Sequence, residues 1–253
     1  MNFELKRLNF ELEGSKNFYI SSSIPIVHFQ YPLQDAEDLK KTVLTLEPSL
    51  KVQLEKIKDD GMVNPGGTKT KNIFTNSHNY YNILSDNLFK DNPSIKKFKL
   101  FLAECFHIYV EILFNEKRDI FYTKCWMNRL EKFDFLDTHN HIGMGRIPMI
   151  SCHYDLSPIK NDVTHTCYYD VYNKYITEQN PILFHQTTLF GNYYKENKLG
   201  LITCFPAFLP HRTTPVRTNE YRYTLGMDVI FDEGMYQDRK IGSIFEKLTY
   251  EHK

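Results

Sequence analysis

His139-Asn140-His141 sets two imidazoles two residues apart, and His211 and Arg222 follow later in the chain. On an extended strand residues i and i+2 point the same way, so His139 and His141 present two ring nitrogens to one ion. His211 arrives from a later strand. Three nitrogen ligands leave half of an octahedron open, and an open face on a divalent iron admits a bidentate 2-oxo acid and dioxygen side by side. A structural zinc site would instead fill its fourth position. Arg222, eleven residues after His211, suits the far carboxylate of such an acid, because a guanidinium donates two parallel hydrogen bonds that a lysine does not reproduce.

Histidine alone is a weak signal. Histidines 28, 78, 107, 165, 185 and 252 read as hydrogen-bonded core or surface residues, and Trp126 reads as core. Arg222 has a plain alternative as a surface ion pair on an edge strand, contributing under about 1 kcal/mol, and Arg146, Arg212 and Arg217 flank the mouth of the site, where they could meet an anionic substrate but read as solvated surface. A rival ligand set lies close by, since His153-Tyr154-Asp155 is itself a His-x-Asp with His211 and Arg222 after it. The two sets exclude each other on a regular strand: if Tyr154 points inward, His153 and Asp155 point outward.

The elements that must position these residues change in character near residue 120. Before it the chain is mainly helical. Asp35 is placed to cap a helix through about Leu46, and Pro48 suits the first turn of another, with Leu50, Leu54 and Ile57 on one stripe before Gly61. Residues 62–72 read as a loop. Ser94 is placed to cap a helix to about Phe114, in which Phe98, Leu102, Cys105, Tyr109 and Ile112 recur at helical spacing and should pack on a sheet. After Asp119, β-branched and aromatic runs at 120–130, 147–156, 164–172, 182–190, 199–205 and 221–231 read as strands. Strands without long connecting helices argue for an antiparallel sandwich or jelly roll rather than a parallel sheet. The tail from Met235, with Ile241, Ile244, Phe245 and Leu248, reads as a short closing helix. Loops 157–163 and 173–181 should frame the entrance to the site.

Composition bounds the rest. At 253 residues, 42% apolar and 25% charged, the chain can bury roughly 70 to 75% of its unfolded surface, so a metal is not needed to hold the fold. A metal, if bound, is there for function. With 31 basic and 31 acidic residues, the chain lacks the positive field that drives nucleic-acid binding. The five cysteines, at 105, 125, 152, 167 and 204, show no CxxC pair and read as buried thiols. An N-terminus carrying acids and no continuous apolar run predicts neither a signal peptide nor a membrane span, and so a soluble, cytoplasmic protein.

Taken in order, the motifs resemble the 2-oxoglutarate and iron(II)-dependent oxygenases. The matching residues are Trp126-Met127-Asn128, then Phe135 through His141, then Ser151 through Leu156, then Gly200 through His211, then Arg222. The likeness covers roughly residues 24–232 and is more specific in the C-terminal part. It implies a double-stranded β-helix, or jelly roll, over 120–232, with the helical segment 1–119 packed on it and a C-terminal helix over 233–253, as one oxygenase domain. It implies iron(II), 2-oxoglutarate and dioxygen, and hydroxylation of a small-molecule or peptide substrate with release of succinate and carbon dioxide.

Carried over by position, His139, His141 and His211 face the metal and Arg222 binds the distal carboxylate of 2-oxoglutarate. Tyr154 and Asn128 assist it. The order of the motifs in that family favours His139 and His141 over His153 and Asp155, with residues 142–148 as the loop between metal motif and strand. The chain departs from the superfamily's usual His-x-Asp by having His141 at the carboxylate position. Three neutral imidazoles leave the ion its full double charge. Asp137 is close enough to act as an acidic ligand or to hold an imidazole tautomer. Two other classes stay open: a zinc metallohydrolase, and a jelly-roll module that binds a metal or ligand without turnover.

Overall fold

The computed structural model describes residues 26–58, 73–74, 84, 89–115, 118–142, 149–159, 164–169, 193–230 and 246–247. Among the described residues, two helices and two antiparallel sheets make up the fold. The larger sheet has seven strands. Its path runs β1 (Val27–Gln30), β7 (Leu201–Pro206), β4 (Ile150–Ser157), β9 (Arg222–Ile230), β3 (Phe121–Leu130) and β10 (Glu246–Lys247), with β2 (Ile73–Phe74) also pairing with β3. The smaller sheet has the order β6 (Tyr193–Glu196), β5 (His165–Tyr168), β8 (His211–Thr213). Residues 136–141 lie along β8, tied by His139 N–H to His211 O at 3.0 Å, His211 N–H to His139 O at 2.9 Å and Thr213 N–H to Leu136 O at 3.1 Å. From β3 to β9 the chain therefore crosses repeatedly between the two sheets.

The large sheet's two faces differ sharply. On β4, Cys152, Tyr154 and Leu156 point to one side, with Ile202 and Cys204 of β7, Leu225 and Met227 of β9 and Val27 and Phe29 of β1. These pack on α2 (Pro93–Phe114) and form the main core with its Phe98, Leu102, Cys105, Phe106 and Tyr109. The helical stripe expected from spacing is thus the stripe that packs, although Ile112 is only partly buried. Ser151, His153 and Asp155 point to the other side, toward the small sheet. Period-two alternation puts the apolar set against the helices and the polar set between the sheets.

Several boundaries differ from the sequence expectations. The cap of α2 is Asn92, whose side chain accepts from Ser94 N–H at 2.9 Å, with Pro93 in the first turn. An N-cap accepts from a donor two or three residues on, so Ser94 is the residue capped. The expected pair of helices around Pro48 is one helix, α1 (Leu33–Lys58), with Pro48 inside it and Asp35 in its first turn. Proline removes one helical bond, but the adjacent Glu47 is buried and anchored to the sheet. Its carboxylate accepts from Arg129 Nη1 at 2.7 Å and from the Tyr223 hydroxyl at 2.8 Å. At the helix start, Asp35 instead receives Lys97 Nζ of α2 at 2.6 Å.

Strands β1, β6 and β8 are too short to stand out in the sequence. Glu246 and Lys247 pair with Tyr122 and Phe121 as a strand, so the expected closing helix is interrupted there. The expected strand 182–190, loop 173–181 and the rest of the tail from Met235 lie outside the described residues, as do Arg146 and histidines 78, 185 and 252. All five cysteines are buried and unbridged. Among the described residues no helix is long and apolar enough to cross a membrane.

Candidate metal centre

His139, His141 and His211 come together, each offering one ring nitrogen within 4.8 Å of the others. The rings of His139 and His141 are stacked at 5.4 Å with an interplanar angle of 11°, as side chains two apart on an extended segment should be. His211 closes the triangle, with ring centroids 4.4 Å from His139 and 5.0 Å from His141. The backbone bridge between residues 139 and 211 holds the two chain segments at this spacing. His141 N–H adds a bond to Ala207 O at 2.9 Å.

Each ring has its Nδ1 engaged. His139 Nδ1 faces the Asp137 carbonyl oxygen at 2.6 Å, His211 Nδ1 the Leu209 carbonyl at 2.9 Å, and His141 Nδ1 the Asp228 carboxylate at 2.6 Å. A carbonyl or carboxylate can only accept, so each Nδ1 donates and each ring keeps its lone pair on Nε2. Three rings with donors turned outward are set to give three Nε2 lone pairs to one cation. Burial, with His139 and His141 next, pushes the His211 pKa well below its usual value, which keeps that imidazole neutral and able to ligate. These residues fit a divalent metal. Asp137 contributes through its main-chain oxygen, not as an acidic ligand.

The surroundings are specific. Ser151 Oγ donates to Asp228 Oδ1 at 2.7 Å and lies 2.9 Å from His141 Nδ1. Trp126 sits 5.4 Å from the His141 ring and lies across Gly226, its register partner, so closely that a Cβ there would come within 2.4 Å of the indole. Trp126 is buried, as expected of core, and also walls the site. Phe205 packs against His211 at 4.8 Å. Exposed Ile142 and Phe208 follow directly on His141 and Ala207, which are hydrogen-bonded to each other. Arg212 and Arg217 are exposed, and Arg212 lies over the Tyr169 ring at 5.7 Å.

Away from the triad, the space between the sheets is strongly polar. Arg222 is 1% exposed, and its Nη2 donates to Thr166 Oγ1 at 2.9 Å and Asn197 Oδ1 at 2.8 Å. It shares the inner face of β9 with Thr224, Gly226 and Asp228. Asn128 is on the inner face of β3, with Nδ2 3.4 Å from Thr224 Oγ1. Lys195 Nζ donates to Asp155 Oδ2 at 2.5 Å across the sheets. His153 stacks on Tyr168 at 5.8 Å and meets its hydroxyl at 2.9 Å. Burial, then Lys195 and Arg222, hold the His153 pKa well below its usual value. His28 bonds Thr203 Oγ1 at 3.0 Å and is lowered to about 3, mainly by burial.

Two positions differ from expectation on β4. Tyr154 faces the helices, 4.7 Å from the Phe98 ring, on the opposite side of the sheet from His153, so it does not face the space around the triad. The inward tyrosine is Tyr168, 5.9 Å from the His211 ring. Parity on β4 did separate the alternatives, but in the reverse sense: His153 and Asp155 point inward, engaged with Tyr168 and Lys195. They form no ligand cluster with His211.

No family model and no curated protein matches the chain. Solved structures do. A prolyl hydroxylase from Trichoplax adhaerens, in complex with a hypoxia inducible factor oxygen degradation domain peptide fragment, has a TM-score of 0.52 and 14% identity over 85% of this chain and 86% of its own. An oxidoreductase of the 2OG-Fe(II) oxygenase family from Burkholderia pseudomallei has a TM-score of 0.42 and 13% identity, covering 58% of this chain and 62% of that one. A prolyl-4-hydroxylase from Pseudomonas putida has a TM-score of 0.40 and 13% identity, covering 55% and 66%. The chain spans less than two thirds of the length of the last two. The likeness to the Trichoplax enzyme is one of fold.

Proposed function

We propose that the chain is a 2-oxoglutarate- and iron(II)-dependent oxygenase that hydroxylates its substrate, with residues 1–253 forming one domain on a double-stranded β-helix. The crossing of successive strands between a large and a small sheet supports that architecture. The observation that carries the reading is the triad: three imidazoles with every Nδ1 engaged as a donor, two of them partly exposed and the third buried. Iron(II) held there with 2-oxoglutarate would supply the oxidation, in which R–H, dioxygen and 2-oxoglutarate give R–OH, succinate and carbon dioxide.

The chain's own residues bind and orient. His139, His141 and His211 hold the metal and leave its outer side to the entrance. Arg222 grips the distal carboxylate of 2-oxoglutarate, with Thr166 and Asn197 fixing one end of the guanidinium. Burial strengthens that charge pairing by excluding water. The Tyr168 hydroxyl, not that of Tyr154, lines the path between triad and arginine, and Asn128 lines it through Thr224. Exposed Ile142 and Phe208, next in sequence to His141 and Ala207, favour a substrate with an apolar part, as a free small molecule or within a peptide. The balance of 31 basic and 31 acidic residues disfavours nucleic acid, and we assign the protein to the cytoplasm.

A zinc hydrolase needs a general base beside the open metal position. Asp228 instead lies behind His141, at its Nδ1. The deciding experiment adds 1-labelled 2-oxoglutarate and iron(II) to the purified protein without oxygen, then admits air. Labelled carbon dioxide and equimolar succinate above an iron-free control are expected. Thermal stabilisation by 2-oxoglutarate without succinate would indicate a binding module, and stabilisation by zinc alone, insensitive to 2-oxoglutarate, would overturn the reading.

A further inference from the structure

The usual oxygenase ligand set contains a carboxylate, and this triad has none. A carboxylate is nevertheless built into the site, one bond further out. Asp228 is 2% exposed and lies between Met227 and Val229 on β9, where an ionised side chain is costly unless compensated. The groups at its Oδ1 are His141 Nδ1 at 2.6 Å and the Ser151 hydroxyl at 2.7 Å. A cation bound at His141 Nε2 would be paired with that carboxylate through the ring.

We infer that Asp228 is the charge-supplying positioning residue of the metal centre. It acts through His141, with Ser151 orienting it, and restores to a three-imidazole site the negative charge its ligands lack. Of the three imidazoles, His139 and His211 donate through Nδ1 to neutral carbonyl oxygens, whereas the His141 Nδ1 donates to a carboxylate. The ring at the position where relatives by motif carry an acid is thus the ring with an acid behind it. Asp228 accepts the Nδ1–H hydrogen bond and acts through the ring. Its parity on β9 is that of Arg222, which places both on the inner face.

This inference rests on the metal-site reading, and one set of samples tests the two separately. The apoprotein is titrated anaerobically with cobalt(II), followed by its visible absorption and by the exchangeable, paramagnetically shifted ring N–H signals in proton NMR. Three such signals are expected for the wild-type chain. No cobalt binding would overturn the metal site itself. Asp228→Asn should fold with an unchanged or raised Tm, because a buried charge is gone, yet bind cobalt(II) about 10- to 100-fold more weakly, with one of the three N–H signals displaced or exchanging faster. Ser151→Ala should weaken binding less, by about threefold, and move the same signal. Wild-type affinity in both variants, or a loss of affinity matched by a loss of apoprotein stability, would overturn the role of Asp228. Should Asp228→Asn fail to fold, Ser151→Ala decides, since wild-type affinity and signals in that variant overturn the inference.

Discussion

One sheet serves two purposes, and β4 shows it in eight residues. Its helix-facing side chains, Cys152, Tyr154 and Leu156, are buried among aromatic and aliphatic groups of α2 and the neighbouring strands. Its inward side chains, Ser151, His153 and Asp155, meet a carboxylate, a tyrosine hydroxyl and a lysine. The apolar face carries the hydrophobic stabilisation. The inner face concentrates buried polar groups, each desolvated and hydrogen-bonded, which fix geometry while adding little net stability. Stability and chemistry are thereby separated by the thickness of a backbone, so substitutions on the two faces should produce opposite phenotypes.

The largest contrast comes from one truncation on each side. His211→Ala removes a ligand and should lower metal affinity on the order of 100-fold or more, since loss of an outer partner alone costs about 10- to 100-fold. The apoprotein Tm should fall less than in the core truncation, because the lost ring packs among polar and aromatic groups of the site and makes one backbone bond rather than filling the main apolar core. Phe98→Ala empties the contact between Tyr31 and Tyr154, where the rings lie 5.4 and 4.7 Å from Phe98. It should cost about 3–5 kcal/mol while the molecules that remain folded bind metal normally. Calorimetry and metal titration on both variants check this. A destabilised His211→Ala with intact affinity would break the division.

The faces also differ in their response to acid. His28 and His153 are buried on the inner side with depressed pKa values, His28 at about 3 against an ordinary 6.5. The unfolded chain takes up protons below about pH 6.5 while these native rings stay neutral, so stability is fully present above that pH and is lost as pH falls toward the native values. Each such histidine steepens the loss by up to about 1.4 kcal/mol per pH unit. Apoprotein Tm measured from pH 7.5 to 5 should therefore drop before the carboxylates titrate. His28→Gln should make that drop shallower.

The division explains what was legible in the chain. The side-by-side placement of His139 and His141 could be read because a period of two needs only an extended backbone, and the strand that carries Arg222 because it is long and regular. The α2 stripe could be read because helical spacing is unambiguous over 22 residues. Facing on β4 was misjudged because the strand is buried on both sides, so burial pressure gives no direction. A signal was present: the α2 stripe demands an apolar partner, and of the two alternating sets only Cys152, Tyr154 and Leu156 supply one. Asp228 was missed although it shares parity with Arg222, since a lone acid in a hydrophobic run has no local pattern to mark it. Strand β8, at three residues, is held by pairing with β5 and with residues 136–141, contacts that sequence periodicity does not express. Glu47 beside Pro48 is the same case, a tertiary anchor overriding a local helix breaker.

The smallest expected effect is the sharpest test of facing. The Tyr154 hydroxyl is buried with no hydrogen-bond partner among the described residues, and burial, then Tyr31, raise its pKa. A buried hydroxyl without a partner costs desolvation and returns nothing, so Tyr154→Phe removes a cost and leaves the ring contact with Phe98 in place. Stability should rise by up to about 1 kcal/mol, or about 2–4 °C in Tm. The affinity for 2-oxoglutarate, measured by titration of the metal-loaded protein, should stay at the wild-type value. Tyr168→Phe should instead lower that affinity, because its hydroxyl lies on the inner side against His153. If Tyr154→Phe weakens 2-oxoglutarate binding and Tyr168→Phe does not, β4 faces the other way and the separation of core from chemistry fails with it.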